Sequence, residues 1–295
     1  MIVVGVDVGG TKIAAVAATQ AGDVCGQVEY PTEAARLVDG IAEAIRAAVR
    51  ASGRAIDEVV AIGIGIPGMV DRAAGTVVLA SNLEIDRPLP LVDLLSAEFS
   101  CPIVIENDAR LAALGVSHHL KLSNVAYISI GTGIAAGIVT NGELQRGRHG
   151  MAGEIGHMLI DNDGTLLEQR VAGPAIVAQA RAAQLDVQHA GDVYQLAAAG
   201  NAAAQQLVVE VSQQIARAIQ WLIMIVDVER VVIGGGLTRS GQLFFDPILE
   251  SIAQLRAQST LNAHMLPDEK LLLLPSDFNA GLCGAAHLAW QHADS

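Results

Sequence analysis

The chain has 295 residues, enough for two modest domains or a single large one. Hydrophobic residues make up 52% of the chain and aromatic residues only 3%, so its core must consist mainly of Val, Ile, Leu and Ala. The formal net charge of −13 argues against a nucleic-acid backbone or an anionic membrane surface as the partner.

The chain opens on an apolar strand pattern over Ile2–Val8 that contains Asp7. A basic start and a cleavage site are both absent from this stretch, so no export signal is predicted. The apolar stretch 59–70 is too short to span a bilayer and contains Pro67. With neither an export signal nor a membrane span predicted, a cytoplasmic protein is expected. The three cysteines Cys25, Cys101 and Cys283 lack metal-ligand spacing and are expected to be isolated reduced thiols.

Hydrophobic periodicity predicts the remaining elements. Leu37, Ile41, Ile45 and Val49 recur every four residues and indicate an amphipathic helix over 34–51. The other predicted elements are strands over 59–66, 102–105 and 230–233, and helices over 91–99, 109–116, 175–183, 193–199, 202–226 and 280–292.

A faint internal repeat indicates two structurally related halves. Ile2–Val8 is followed by Gly9-Gly10-Thr11-Lys12 and a second apolar run, and 125–130 is followed by Gly131-Thr132-Gly133 and another such run. Each copy reads as a strand, a glycine turn and a returning strand. Small residues in such turns let backbone N–H groups approach a phosphate, although plain turn chemistry gives the same pattern. Together with Gly234-Gly235-Gly236 after a third strand, the loops predict a nucleotide site that spans both halves.

Two polar motifs could carry further chemistry. Glu106-Asn107-Asp108 follows a strand and begins a helix, so Asp108 is either a first-turn acid or a general base for a substrate hydroxyl. Glu154 and His157, within Gly153-Glu-Ile-Gly-His157, suit sugar hydroxyls; a solvated loop or a metal ligand at His157 are the alternatives. A structural zinc is not predicted, since no cysteine lies nearby.

Taken together, the motifs resemble those of the ROK family of bacterial sugar kinases, within the actin-like ATPase superfamily. The matching motifs run in the family's order over nearly the whole chain: Asp7–Lys12, Gly65–Gly68, Asn82-Leu83, Glu106–Asp108, Gly131–Gly133, Gly153–His157 and Gly234–Gly236. The resemblance implies a two-domain actin-like (ribonuclease H-like) α/β fold, each domain having a mixed sheet with flanking helices. It places the N-terminal sugar kinase domain at 1–118 and the C-terminal nucleotide-binding domain at 119–279. A C-terminal helix at about 280–295 is expected to pack against the N-terminal domain.

The resemblance also implies a role for each motif. Asp108 corresponds to the catalytic base, and the implied sugar ligands are Gly65, Gly68, Asn82, Asn107, Asp108, Glu154, His157 and Glu168. The implied contacts to ATP are Asp7, Gly9, Gly10, Thr11, Lys12, Gly131, Thr132, Gly133, Gly235 and Gly236. Asp7 would also place Mg²⁺, through water. A homodimer is expected from the relatives.

One departure from the family concerns zinc. Most members carry a cysteine-rich zinc loop between the histidine and the following glutamate, whereas residues 158–167 contain no cysteine. We therefore predict an enzyme without zinc, in which burial of Leu159, Ile160, Leu166 and Leu167 shapes a short hairpin that presents Glu168.

The resemblance favours glucose, since Glu154-Ile-Gly-His157 is similar to the glucose and fructose kinases of the family. Fructose, mannose, allose and N-acetylmannosamine remain alternatives, as does a sugar-binding protein without catalysis. A repressor of the same family is disfavoured, because the phosphate motif begins at residue 7 and the chain is acidic.

Overall fold

The computed structural model describes residues 1–275 and 277–293 and has mixed α/β structure. Its strands are β1 (Ile2–Val8), β2 (Lys12–Ala18), β3 (Val24–Pro31), β4 (Val59–Ile66), β5 (Met69–Asp71), β6 (Thr76–Leu79), β7 (Ile103–Asn107), β8 (Val125–Ile130), β9 (Ile134–Thr140), β10 (Glu143–Leu144), β11 (Arg230–Gly234) and β12 (Leu271–Leu273). Its α-helices are α1 (Leu37–Ala51), α2 (Leu91–Ser96), α3 (Asp108–Leu120), α4 (Glu168–Val171), α5 (Gly173–Ala182), α6 (Ala190–Ala198), α7 (Ala202–Val226), α8 (Gln242–Gln258), α9 (Thr260–Met265) and α10 (Ala280–Gln291). Among the described helices, none combines the length and hydrophobicity that crossing a membrane requires.

The chain divides into two compact units. The first comprises Met1–Leu122, Gly137–Ala152 and the C-terminal segment from Asn279; the second comprises Ser123–Ala136 and Gly153–Phe278. The division predicted from the sequence assigned 137–152 to the C-terminal domain, and here that segment belongs to the first unit. Arg146 of this segment pairs with Glu106, which lies in the same unit.

Two five-stranded sheets have the same strand order. The first sheet runs β3-β2-β1-β4-β7 and the second runs β10-β9-β8-β11-β12. In the first, β1 is antiparallel to β2 and parallel to β4, and in the second β8 is parallel to β11. The shared order confirms the internal repeat that the two glycine hairpins indicated.

The parallel strands of the first sheet align the ends of three motifs. Asp7 on β1 lies beside Gly65 on β4, and Gly65 lies beside Glu106 on β7. Strand β4 is almost entirely buried, as expected for a central parallel strand covered on both faces. The first sheet therefore collects the candidate residues at the carboxyl ends of its parallel strands, the edge where open α/β sheets bind ligands.

Helix α10 packs closely against α3 and the first sheet. A methyl group on Gly284 would lie 1.8 Å from the carbonyl oxygen of Leu111 on α3, and one on Gly63 would lie 2.2 Å from the carbonyl oxygen of Ala285. Only glycine allows this backbone approach. Since α3 begins at Asp108, this packing fixes the helix that carries the predicted base.

Candidate active site

The carboxyl group of Asp7 lies in a crowded, partly desolvated position at the end of β1. A methyl group on Gly281 of α10 would lie 2.7 Å from its carboxyl carbon. Burial, and then the negative charge of Asp108, raise the pKa of Asp7 to about 6, while Lys12 and a hydrogen bond from Asn279 act in the opposite direction. The strand register brings the two predicted site carboxylates to one edge of the sheet, since Asp7 is aligned through Gly65 with Glu106, two residues before Asp108.

The Gly9–Lys12 loop is a tight, exposed turn. The N–H of Gly9 donates to the carbonyl oxygen of Lys12 at 2.8 Å, and the Thr32 hydroxyl donates to the carbonyl oxygen of Gly9 at 2.7 Å. Gly10 packs against Asn82, since a methyl group on Gly10 would lie 3.1 Å from the Asn82 carbonyl oxygen. Thr11 is exposed, whereas the Lys12 ammonium is paired with Glu29 at 2.7 Å.

Asn107 connects the Gly65–Gly68 turn to the start of α3. Its side-chain amide donates to the carbonyl oxygen of Gly68 at 3.1 Å, and its side-chain oxygen accepts from the N–H of Arg110 at 3.2 Å, capping the helix. Gly68 has φ of +93°, and a methyl group there would lie 2.1 Å from the Leu79 carbonyl oxygen. Asp108, the first residue of α3, accepts from the Ala109 N–H at 2.8 Å, so the proposed base and the helix cap are adjacent residues.

A buried charge network lies behind these residues. Arg110 Nη1 donates to Glu106 Oε1 at 3.1 Å, Arg146 Nε donates to Glu106 Oε2, and Arg110 Nη2 donates to the Gly150 carbonyl oxygen. Glu106 Oε1 also accepts from the N–H of Asn107 at 3.0 Å. The sequence reasoning did not single out either arginine. The i, i+4 spacing of Glu106 and Arg110 is a signal that could have identified the first, whereas Arg146 has no such local signal.

The second unit places the other two glycine loops against each other. Gly131 N–H donates to the Gly133 carbonyl oxygen at 2.9 Å, and a methyl group on Gly131 would lie 3.5 Å from the Gly236 nitrogen. Gly235 has φ of +92°, and a methyl group on it would lie 2.5 Å from the Ile130 carbonyl oxygen. These glycines keep the ends of β8 and β11 in backbone contact.

A cavity of about 690 Å³ opens beside these loops, within the second unit. Gly131, Thr132 and Gly236 line it. The lining residues that the sequence reasoning missed are Gly173, Pro174, Val177, Ala178, Arg181, Gln188, His189, Ala190, Gly191, Leu237, Arg239 and Ser240. Apolar residues beside arginine, histidine and backbone N–H groups suit a flat base and the polar groups of a nucleotide. The cavity residues on α5 and α6 carry no motif of their own, so only the fold reveals them.

Glu154 precedes a short 3₁₀ turn over Ile155–His157, and His157 is the last residue of that turn. Glu154 is half-buried and the His157 side chain is exposed. Glu168 begins α4, and its Oε2 accepts from the N–H of Ile134 at 3.1 Å, next to the predicted phosphate loop. No group of three or more potential metal-ligating His, Cys, Asp or Glu side chains occurs in 1–275 and 277–293.

Residues 158–167 form the predicted hairpin, but polar groups contribute more to it than expected. Leu159 and Leu166 form an antiparallel bridge, and Ile160 N–H donates to the Thr165 carbonyl oxygen at 3.0 Å. Leu167 is fully buried, but Leu159 is 62% exposed, so the prediction that Leu159 is buried is wrong. Instead, Asp161 closes the turn.

The Asp161 carboxylate accepts from the N–H groups of Asp163 and Thr165 at 3.1 and 3.0 Å. These bonds hold its pKa below the usual value. This side-chain-to-backbone bonding is typical of an Asx turn and stabilises the hairpin.

Comparison with known proteins identifies the family. The model of the ROK family matches residues 3–292. The chain belongs to the ROK family. The glucokinase of Streptomyces coelicolor is 32% identical to it, over 98% of this chain and 97% of the relative.

Solved structures of ROK proteins agree with this family assignment. A ROK hexokinase from Thermus thermophilus has a TM-score of 0.85 at 29% identity and covers 100% of this chain and 99% of its own. A ROK glucokinase from Streptomyces griseus, in complex with glucose and AMPPNP, has a TM-score of 0.81 at 31% identity and covers 99% and 100%. The family gives the actin-like α/β fold, and the full-length similarity to glucokinases gives the enzyme class, an ATP-dependent sugar kinase. An N-acetylmannosamine kinase from Vibrio vulnificus is also 32% identical, over 80% of this chain and 83% of its own, so the family leaves the sugar open.

Proposed function

We propose that this ROK kinase is a glucokinase that transfers the γ-phosphoryl group of ATP to the terminal hydroxyl of glucose. The observation that carries the proposal is the setting of Asp108, at the start of α3 and close enough to Asp7 to raise the pKa of that group. Full-length similarity to a glucokinase supports glucose over the other hexoses.

In the proposed reaction, Asp108 accepts the proton of the terminal hydroxyl as its oxygen attacks the γ-phosphorus. Asn107 anchors the strand end next to this carboxylate. In the same unit, Asn82, Gly65 and Gly68 are the other predicted sugar ligands. In the second unit we assign further sugar contacts to Glu154, His157 and Glu168.

Backbone N–H groups of the two glycine loops, Gly9–Lys12 and Gly131–Gly133, would hold the phosphates as their charge shifts in the transition state. The cavity beside Gly236 would hold the adenosine. Its volume of about 690 Å³ lies within the range of small-molecule sites.

A magnesium ion fits the oxygen donors near Asp7. A single buried carboxylate beside Asn279 is a donor set to which Mg²⁺ binds with retained waters and substrate phosphates, not as an all-protein cage. Burial and then the charge of Asp108 raise the pKa of this carboxyl group to about 6, so a bound cation would favour its charged form. When bound, Mg²⁺ would neutralise charge on the transferring phosphoryl group.

A homodimer stays a prediction that light scattering would test.

A coupled assay of ADP release tests the proposal. Glucose, fructose, mannose, allose and N-acetylmannosamine are compared at equal concentrations with Mg²⁺-ATP. We expect the highest kcat/KM with glucose. A higher kcat/KM with another sugar would make that sugar, and not glucose, the proposed substrate. Sugars that raise the Tm of the protein without ADP release would indicate a sugar-binding protein without catalysis.

A further inference from the structure

Glu168 contacts the backbone at the point where the Gly131–Gly133 loop enters β9. Its Oε2 accepts from the N–H of Ile134 at 3.1 Å, and a methyl group on Gly133 would lie only 2.4 Å from the same oxygen. One carboxylate oxygen is therefore committed to the loop, in addition to the sugar contact assigned above.

The segment that begins with Glu168 also holds the other end of this loop. Gly173, at the start of α5, donates its N–H to the carbonyl oxygen of Gly131 at 2.7 Å. The glycine loop is thus bracketed by residues 168 and 173, one hydrogen bond at each end. Substitution of Glu168 removes one half of this bracket and leaves the other in place.

The Gly153–His157 motif contacts the residues that directly follow the loop. Ala136 N–H donates to the Gly153 carbonyl oxygen at 2.7 Å, and a methyl group on Gly156 would lie 2.5 Å from the Ile134 carbonyl oxygen. Both sugar-side motifs of the second unit therefore contact Ile134–Ala136, the first residues of β9. A change in the position of either motif can therefore shift the phosphate loop through Ile134–Ala136 of β9.

We propose that Glu168 is a positioning residue for the phosphate loop and thereby couples sugar binding to nucleotide binding. This inference rests on the proposed function, which assigns the sugar contact to the same carboxylate. A sugar that fixes the carboxylate also fixes its bond to Ile134, so the loop is already ordered when the nucleotide binds. By linkage, each ligand then raises the affinity for the other by the same factor.

The deciding measurement is the affinity of the intact protein for Mg²⁺-ADP in the absence of sugar, by isothermal titration calorimetry. Glu168→Ala removes the acceptor for Ile134, and we expect ADP binding to weaken by about 10-fold or more, the scale of a lost bond to a charged group. Glu168→Gln keeps an oxygen acceptor, and we expect ADP affinity within about 2-fold of the unsubstituted protein. Glu250→Ala, at an exposed position of α8, is the matched control.

The second measurement repeats the titration with saturating glucose. We expect glucose to tighten ADP binding in the unsubstituted protein and to lose most of this effect in Glu168→Ala. Gly133→Ala tests the same contact from the other side, since its methyl group must displace the carboxylate. We expect it to weaken ADP binding and to raise the KM for glucose, although it removes no side chain that binds sugar.

Unchanged ADP affinity in both Glu168→Ala and Gly133→Ala would overturn the coupling and leave Glu168 with a sugar role alone. Tighter ADP binding in Glu168→Ala and Glu168→Gln would also overturn it, because charge repulsion would then outweigh the bond. If Glu168→Ala fails to fold, Gly133→Ala decides. Failure of the unsubstituted protein to bind ADP would instead contradict the proposed function.

Discussion

Arg110 and Glu106 form an ion pair whose charged atoms lie 3.1 Å apart and whose side chains are each only 2% exposed. Removing Arg110 leaves the buried Glu106 carboxylate with Arg146 as its remaining counterion, at a cost of up to about 3–5 kcal/mol. We expect Arg110→Met to lower the free energy of unfolding by about this amount, measured by urea denaturation. We expect the double substitution Glu106→Gln with Arg110→Met to be less destabilised, because the fully buried charges are gone and the Arg146 side chain, 32% exposed, can reach solvent.

The exposed pair of Arg54 and Glu58 has the same i, i+4 spacing and provides the control. Arg54→Met should cost less than about 1 kcal/mol. A double substitution as unstable as Arg110→Met alone would show that shape, and not the unpaired charge, determines the loss.

His287 predicts a pH dependence of stability. Its ring lies against that of His118, with centroids 4.4 Å apart, and burial and then the neighbouring His118 lower its pKa from 6.5 to about 4. The unfolded chain therefore binds a proton at a higher pH than the folded protein. The contribution of the neutral His287 to the free energy of unfolding is fully present above about pH 6.5 and is lost as the pH falls toward 4.

His287→Phe keeps an aromatic ring and removes the titration. After allowance for partial exposure, we expect the fall in Tm between pH 7.5 and pH 5 to shrink by about 2 °C, on the order of 1 kcal/mol, measured by calorimetry. His264→Phe makes the same change at an exposed position and should leave the fall unaltered. An equal fall in Tm for His287→Phe and the unsubstituted protein would contradict the assignment.

The Asp161 turn predicts an enzyme that works without zinc. Elemental analysis should find less than stoichiometric zinc, and a strong chelator should spare activity once Mg²⁺ is resupplied. Asp161→Ala removes the acceptor for two backbone N–H groups and should raise the KM for the sugar several-fold through Glu168, while Asp163→Ala should have little effect. One tightly held zinc per chain, with activity lost on its removal, would refute this prediction.

Much of the fold could be predicted from local patterns. The period of Leu37, Ile41, Ile45 and Val49 placed α1, and two similar glycine hairpins indicated the repeat that appears as two sheets of equal strand order. These features follow from short-range chemistry, in which side-chain period and turn residues determine local structure.

The remaining features depend on contacts distant in sequence. Arg146 reaches Glu106 across 40 residues, and no local pattern indicates this ion pair. Lys12 is paired with Glu29, 17 residues away, and an apolar spacing alone does not tell that Leu159 faces solvent while Asp161 closes the hairpin. The candidate site was predictable as motifs, whereas the groups that support it required the structure.

The proposed function depends on Asp108 as the catalytic base of a sugar kinase. Asp108→Asn keeps the shape and an oxygen that can accept the N–H of Ala109, but it cannot take a proton from the sugar hydroxyl. The most direct test measures kcat for glucose and, by titration calorimetry, the Kd for glucose in Asp108→Asn and in the unsubstituted protein. We predict a fall in kcat of at least about 100-fold, with the Kd for glucose changed by less than about 5-fold. A folded Asp108→Asn protein with nearly unchanged kcat would contradict this account.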